Sequence, residues 1–483
     1  MWAKISLGVA LNSFNKLRGF SLVESLRGHS LACTLVLAGF IAFSTPARLP
    51  GQTTELATIS SLIQRGKLAE AEQKLQSYLR AHPHSAKANA LLAEIYLANG
   101  EFAKSLEAAE NIPPGKRSTE LLPTLAADYF GLQQPEKASL EIQSMLQVAD
   151  KQPDLIPELA EFFLAHRDFK SSEQLLTLAK TKQPTTARFL IALARTQAGL
   201  GQLDEAQTIL EDVLARRPDS VDALIAAGNV AAQQLNWQAS GEAFARANLL
   251  APNRPDILYG LAHAQLLTYK QEAALATVRS LQQLLPGDLR VTYLSSLASF
   301  GVKDWANSRK YAEQVLAVHP EDREMHLILT DIFVNYEQNL AIAKSHANAV
   351  LKQNSEDAAA LYYMGMIQRL EGDVPGAIQQ LTKSVKINPR SADAQAALGA
   401  VCLQAGDFLH AVPALEQAMQ LAPDDPSNHY QLALAYTRAG NLDKAREQLT
   451  MYQQMKVKAD ADAKNSKGPT TSAVPLMGVG SRP

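Results

Sequence analysis

PRSADAQAALGAVCLQAGDFLHAVPALEQAMQLAP, Pro389 to Pro423, is the stretch on which the fold turns. It reads as two helices and a turn. The first helix carries Leu398, Gly399 and Cys402 on one face, and Gly406 with Asp407 breaks it. The second carries Ala411, Leu415 and Ala418, and Pro423 stops it. Apolar residues at steps of three and four are helical spacing. Neither apolar stripe is wide enough to stabilise a lone helix, so each must be buried against a neighbour.

The unit recurs along the chain. Pro184, Pro218, Pro252, Pro286 and Pro320 follow one another at 34 residues; Ser355 comes next, after one inserted residue, and Pro389 and Pro423 resume the period. Ten residues beyond each closing position stand Ala194, Gly228, Ala262, Ser296, Thr330, Gly365, Gly399 and Ala433. A tight helix–helix crossing needs residues of this size. The second helices repeat a small residue at Ala206, Ser240, Ala274, Ser308, Ala343, Ala377, Ala411 and Ala445. Backward, Pro83, Lys116 and Asp150 hold the register, and a first unit keeps Gly66, Ala71, Leu75 and Tyr78.

This pattern resembles the tetratricopeptide repeat family of 34-residue helix–turn–helix units. Leu398, Gly399, Ala411, Leu415, Ala418 and Pro423 fit the family pattern, as do Leu432, Ala433, Tyr436 and Ala445. The family's tryptophan is replaced by Leu190, Leu224, Leu258 and Leu361. A turn glycine stands at Gly66, Gly100, Gly201, Gly372, Gly406 and Gly440, and the other units lack it. The resemblance implies an all-α, right-handed superhelical solenoid of about 12 repeats over residues 53–459. A related helical-pair repeat is the alternative.

The ends differ from the array. In residues 1–52, Lys4, Lys16, Arg18 and Arg27 precede an apolar run from Leu31 to Phe43, and Thr45 to Ala47 supplies a cleavage point. A basic segment, a short apolar run and small residues predict a secretory signal. The run is short for a span of about 20 residues. An exported protein is expected, periplasmic or membrane-anchored facing the periplasm; the alternative to cleavage is a retained anchor, and a cytoplasmic place is less favoured. Arg18 to Glu24 is similar to a prepilin processing site, but Arg27, Gly28 and His29 interrupt the helix that should follow. Cys33 begins the apolar run instead of following it, which disfavours lipidation. Residues 460–483 carry Gly, Pro, Ser and Thr without periodicity and read as a disordered tail.

The formal net charge of −2 comes from mixed signs, with no basic stripe of the kind nucleic-acid binders carry. Two cysteines, Cys33 and Cys402, allow no metal-spaced pair, and Cys402 reads as a buried, inert thiol. His82-Pro83-His84 falls in a turn, where the proline keeps the two rings off one helix face. No phosphate loop, HExxH or GxSxG occurs. No catalytic residue, metal or cofactor is expected.

What remains is surface. The family's geometry implies that first helices line a concave groove, with exposed positions seven and eleven residues beyond each closing position. The first series includes Ile191, Ile225, Tyr259, Tyr293, Leu327, Tyr362 and Tyr430; the second includes Arg195, Asn229, His263, Leu297 and Asp331. Tyr259, Tyr293, Tyr362 and Tyr430 are expected to form an aromatic ladder, with Arg195, Asn229, His263 and Arg369 as polar handles. Tyrosine gives contact area at low entropy cost plus a hydroxyl, which suits peptide binding. The alternative is that some of these tyrosines pack between repeats. Ile225 with Asn229, and Tyr259 with His263, replace the family's clamp for C-terminal carboxylates. The expected function is a non-enzymatic scaffold that binds a protein or peptide in a bacterial envelope assembly or secretion system. The second hypothesis is a non-catalytic targeting subunit of a glycosyltransferase or polysaccharide-export machine.

Overall fold

In the computed structural model the described residues are 53–64, 68–113, 117–151, 156–165, 167–180 and 186–465. The expected signal, Cys33, Gly66 and residues 466–483 lie outside them. Among the described residues every regular element is helical, and the α-helices form twelve consecutive pairs. The first pair is Thr53–Gln64 with Leu68–Ala81, and the last is Pro426–Arg438 with Leu442–Asn465. That last helix runs past the expected end of the array at 459. The chain divides into two compact units, one ending at Leu294 and the other resuming at Ser295, within the helix Leu289–Gly301.

The predicted crossings are tight. A Cβ on Gly399 would stand 2.4 Å from Leu415 Cγ and 3.2 Å from the Ala411 carbonyl oxygen; on Gly365 it would meet Leu381 Cγ at 2.6 Å. At Ser296 and Ser308, where serine replaces alanine, the hydroxyls are used; the buried Ser240 hydroxyl has no hydrogen bond. Ser308 donates to the Ser296 carbonyl oxygen at 3.0 Å, and Ser296 returns the bond to Ser308 at 3.0 Å. Short polar side chains cap several of the first helices. Ser220, Asp357, Ser391 and Asp425 each accept a backbone N–H of the first turn, and Asp288 accepts from Arg290 N at 2.8 Å. Asp219 does not cap; its neighbour Ser220 does.

The turns that follow the first helices carry a left-handed residue. Gly100, Gly201, Gly372, Gly406 and Gly440 have φ between 75° and 87°. Where glycine is missing the backbone keeps the same hand, at Gln133, Arg167, Leu235, Tyr269, Lys303 and Gln338, with φ between 54° and 64°. The bonds match as well: Asn236 N donates to Ala231 O at 2.8 Å, as Asp407 N does to Cys402 O at 2.8 Å. The inserted residue of the Pro320–Ser355 unit sits in this turn. Asn339 N reaches back six residues, to Phe333 O at 2.9 Å, where its counterparts reach back five.

At the family's tryptophan position, four units carry a polar side chain that ties down the preceding turn. Asn89 donates to Pro83 O at 3.2 Å, Gln395 to Pro389 O at 3.2 Å, and His326 and His429 each donate through Nε2 to Pro320 O and Pro423 O at 2.9 Å. Among the described residues several buried polar atoms have no such partner, and Asp128 is the case in which both oxygens of a carboxyl lack one. Asp128 is 0% exposed, and neither of its carboxyl oxygens has a hydrogen bond. Burial pushes this carboxyl up to about 7, opposed by the neighbouring Ser105, whose hydroxyl donates to Ala93 O at 2.8 Å.

A candidate protein-binding groove

The first helices form the closer-packed layer: Ala187–Gly199 touches Val221–Gln233, which in turn touches Pro255–Leu267. In a stack of helix pairs this is the concave side.

In the N-terminal unit the predicted series falls on successive first helices. Ile191 is buried; Ile225, Tyr259 and Tyr293 are half-buried, and Asn229 and Arg195 are exposed. Arg195 is not a free handle. Its Nη1 lies 2.6 Å from both carboxyl oxygens of Glu161, 34 residues earlier. The Arg290 guanidinium stands 6.0 Å above the Tyr259 ring, and burial pushes that phenol up to about 12. Arg290 is itself held by Asp288, through Nε at 3.1 Å and Nη2 at 2.6 Å. Arg254 meets Asp256 in the same way, at 3.2 and 2.6 Å. His263 departs from the expectation of an exposed handle. It is buried, with its ring edge-on to Trp237 at 5.3 Å, and burial lowers it to about 4. A residue eleven beyond the closing proline faces the groove only where the neighbouring helix leaves it room, and the Trp237 indole closes that room.

In the C-terminal unit Tyr362 is half-buried, edge-on to Tyr363 at 5.1 Å, and its phenol is pushed far above the ordinary range by burial, then by Asp393 and Asp331, with Arg369 opposing. Arg369 is half-buried in the last turn of Ala358–Glu371. Tyr430 is 50% exposed and packs against Tyr452 at 5.3 Å. Leu327 and Asp331, expected on the exposed series, are buried, as is Leu297. The helix that carries Leu327 and Asp331, Arg323–Asn335, is buried from Glu324 to Val334, its polar Glu324, His326, Thr330 and Asp331 included. Asp331 accepts from Tyr363 Oη at 3.0 Å, and Arg323 binds Asp357 through Nε at 2.5 Å.

Sequence reasoning missed the carboxylate partners of the groove arginines. Two could have been found in Arg254-Pro255-Asp256 and Asp288-Leu289-Arg290, where an acid and an arginine two apart open a first helix. Among the described residues no group of three or more His, Cys, Asp or Glu could hold a metal ion, and no helix is long and apolar enough to cross a membrane. Cys402 is 1% exposed, and burial, then Asp407, pushes its thiol up to about 11.

Family models described as tetratricopeptide repeat match residues 62–129, 163–228 and 402–467, and 336–392 with 372–426, together more than half of the chain. No curated protein matches. Solved structures similar to this chain include a crystal structure of MamA (20% identity over 34% of this chain and 96% of that one, TM-score 0.30). Pseudomonas aeruginosa pilF is similar at 19% identity over 43% and 95%, TM-score 0.36. The APC/C hetero-tetramer Cut9–Hcn1 is similar at 14% identity over 79% and 89%, TM-score 0.44.

Proposed function

The chain belongs to the tetratricopeptide repeat family, and from that premise we propose that it is a non-enzymatic scaffold that holds a protein partner along its first-helix groove. The observation that carries this reading is the series Ile191, Ile225, Tyr259 and Tyr293, one residue per repeat on successive first helices, three of them part-exposed. Such a surface is preformed, so a segment lying on it orders without reorganising the protein. Affinity accumulates from modest contacts spread over repeats. The basic segment and apolar run of residues 1–52 support an exported protein acting in an envelope assembly.

The test is co-purification from the source cell's envelope fraction. It compares the intact chain with a Tyr259→Ala, Tyr293→Ala, Tyr362→Ala variant of equal helicity. A partner lost only from the variant supports the groove. Equal recovery moves binding elsewhere.

A further inference from the structure

Resting on that reading, we propose that the groove of the N-terminal unit takes an uncharged, extended segment with an aliphatic or aromatic side chain at every third residue. An observation of charge carries the chemistry of the guest, and the general packing distance of touching helices sets its register.

The groove's cations are already neutralised from within. Arg195 meets Glu161 at 2.6 Å, Arg254 meets Asp256 at 2.6 Å, and Arg290 meets Asp288 at 2.6 Å. An acidic segment would have to break these pairs to reach a guanidinium. A basic one would have to displace an arginine already held by two nitrogens at Asp256 or Asp288. Neither exchange gains a charge pair. What the groove offers without breaking a charge pair is the part-exposed Ile225, Tyr259 and Tyr293, together with the exposed Asn229 amide. The Tyr259 hydroxyl adds no charge, because burial pushes it up to about 12.

The spacing sets the register of the guest. Touching helices lie about 8–10 Å apart. A polyproline-type chain rises about 3.1 Å per residue and returns a side chain to the same side every third residue, about 9.3 Å on. Consecutive groove positions are thus met by residues three apart. A β-strand, with its period of two, would present every second contact to solvent.

The experiment is selection of random dodecapeptides displayed on phage against the full chain, the Tyr259→Ala, Tyr293→Ala variant and an Asn229→Glu variant. Asn229 is exposed, so its substitution tests the groove even if loss of both tyrosines disturbs packing. Peptides recovered by the native chain and depleted about tenfold by both variants should have net charge near zero, with apolar residues three apart. Their dissociation constants should change less than about twofold between about 50 and 500 mM salt, because no exposed ion pair is formed. Groove-dependent peptides that are strongly charged, or that lose affinity about tenfold over that range, would overturn this inference and leave the groove intact. Recovery unaffected by either variant, or no recovery, would overturn both.

Discussion

Replacing Asp128 with asparagine should remove a pH dependence built into the N-terminal unit. The carboxyl is fully buried, lacks hydrogen bonds, and titrates near 7 in the folded chain against an ordinary value of 3.8. Between these values the native state holds a proton that the unfolded chain releases. The contribution is therefore fully present below pH about 4, falls as pH rises, and is gone above about 7. Each pH unit corresponds to about 1.36 kcal/mol, so the window amounts to about 4 kcal/mol in order of magnitude. A carboxamide cannot ionise, so the Asp128→Asn variant should be less stable than or equal to the native chain at pH 4 and more stable at pH 8. The assay is hydrogen-exchange protection of the helices Phe102–Glu110 and Leu122–Gly131, measured against pH for both proteins and corrected for intrinsic exchange. Taking the difference between them cancels the other titrating groups. A difference that stays flat from pH 4 to 8 would refute the reasoning, because it would mean that the carboxyl is solvated or paired.

Lys303→Gly should stabilise the fold by about 0.5–1 kcal/mol in chemical denaturation, since Lys303 is exposed at φ 64° and glycine removes the left-handed penalty. Gly399→Ala should destabilise by about 1–3 kcal/mol in the same assay, because Leu415 and the Ala411 carbonyl already occupy the space. Arg195→Met should change stability by less than about 1 kcal/mol, as both side chains of the Glu161 pair remain in part open to solvent. Cys402 should resist a thiol reagent at pH 8 in the folded chain and react at once in denaturant, followed by absorbance of the released chromophore.

Much of the fold was legible because the repeat constrains every unit in the same way. The small residues at Gly365 and Gly399 and the caps at Ser220, Ser391 and Asp425 are local demands of a helix crossing or a helix start, and composition records them directly. The second-helix caps Asn236, Asp304, Asn339, Asp373 and Asp407 follow the same rule, and of these the sequence reading singled out only Asp407, as a helix break. The groove was less legible, because a position seven or eleven residues into a helix says which way a side chain leaves its own axis and nothing about its neighbour. Asn229 and Tyr430 are exposed, as expected of groove positions. His263 is covered by Trp237 and Arg195 is engaged by Glu161, and both partners come from other helices. Asp128 was invisible for a related reason: a carboxylate near the end of a first helix looks like solvated surface until the preceding pair closes over it.

The six left-handed turns without glycine bear on how the chain folds. Leu235, Tyr269, Lys303 and Gln338 are consecutive, and each must be forced into a hand that its own side chain opposes. Local preference at those turns works against the hairpin, and only docking onto a finished neighbour overcomes it. The glycine-turned hairpins at Gly372, Gly406 and Gly440 meet no such obstacle and are the natural nucleus. Order should then spread from them toward the turns at Gln338, Lys303, Tyr269 and Leu235, which a finished neighbour must hold in place.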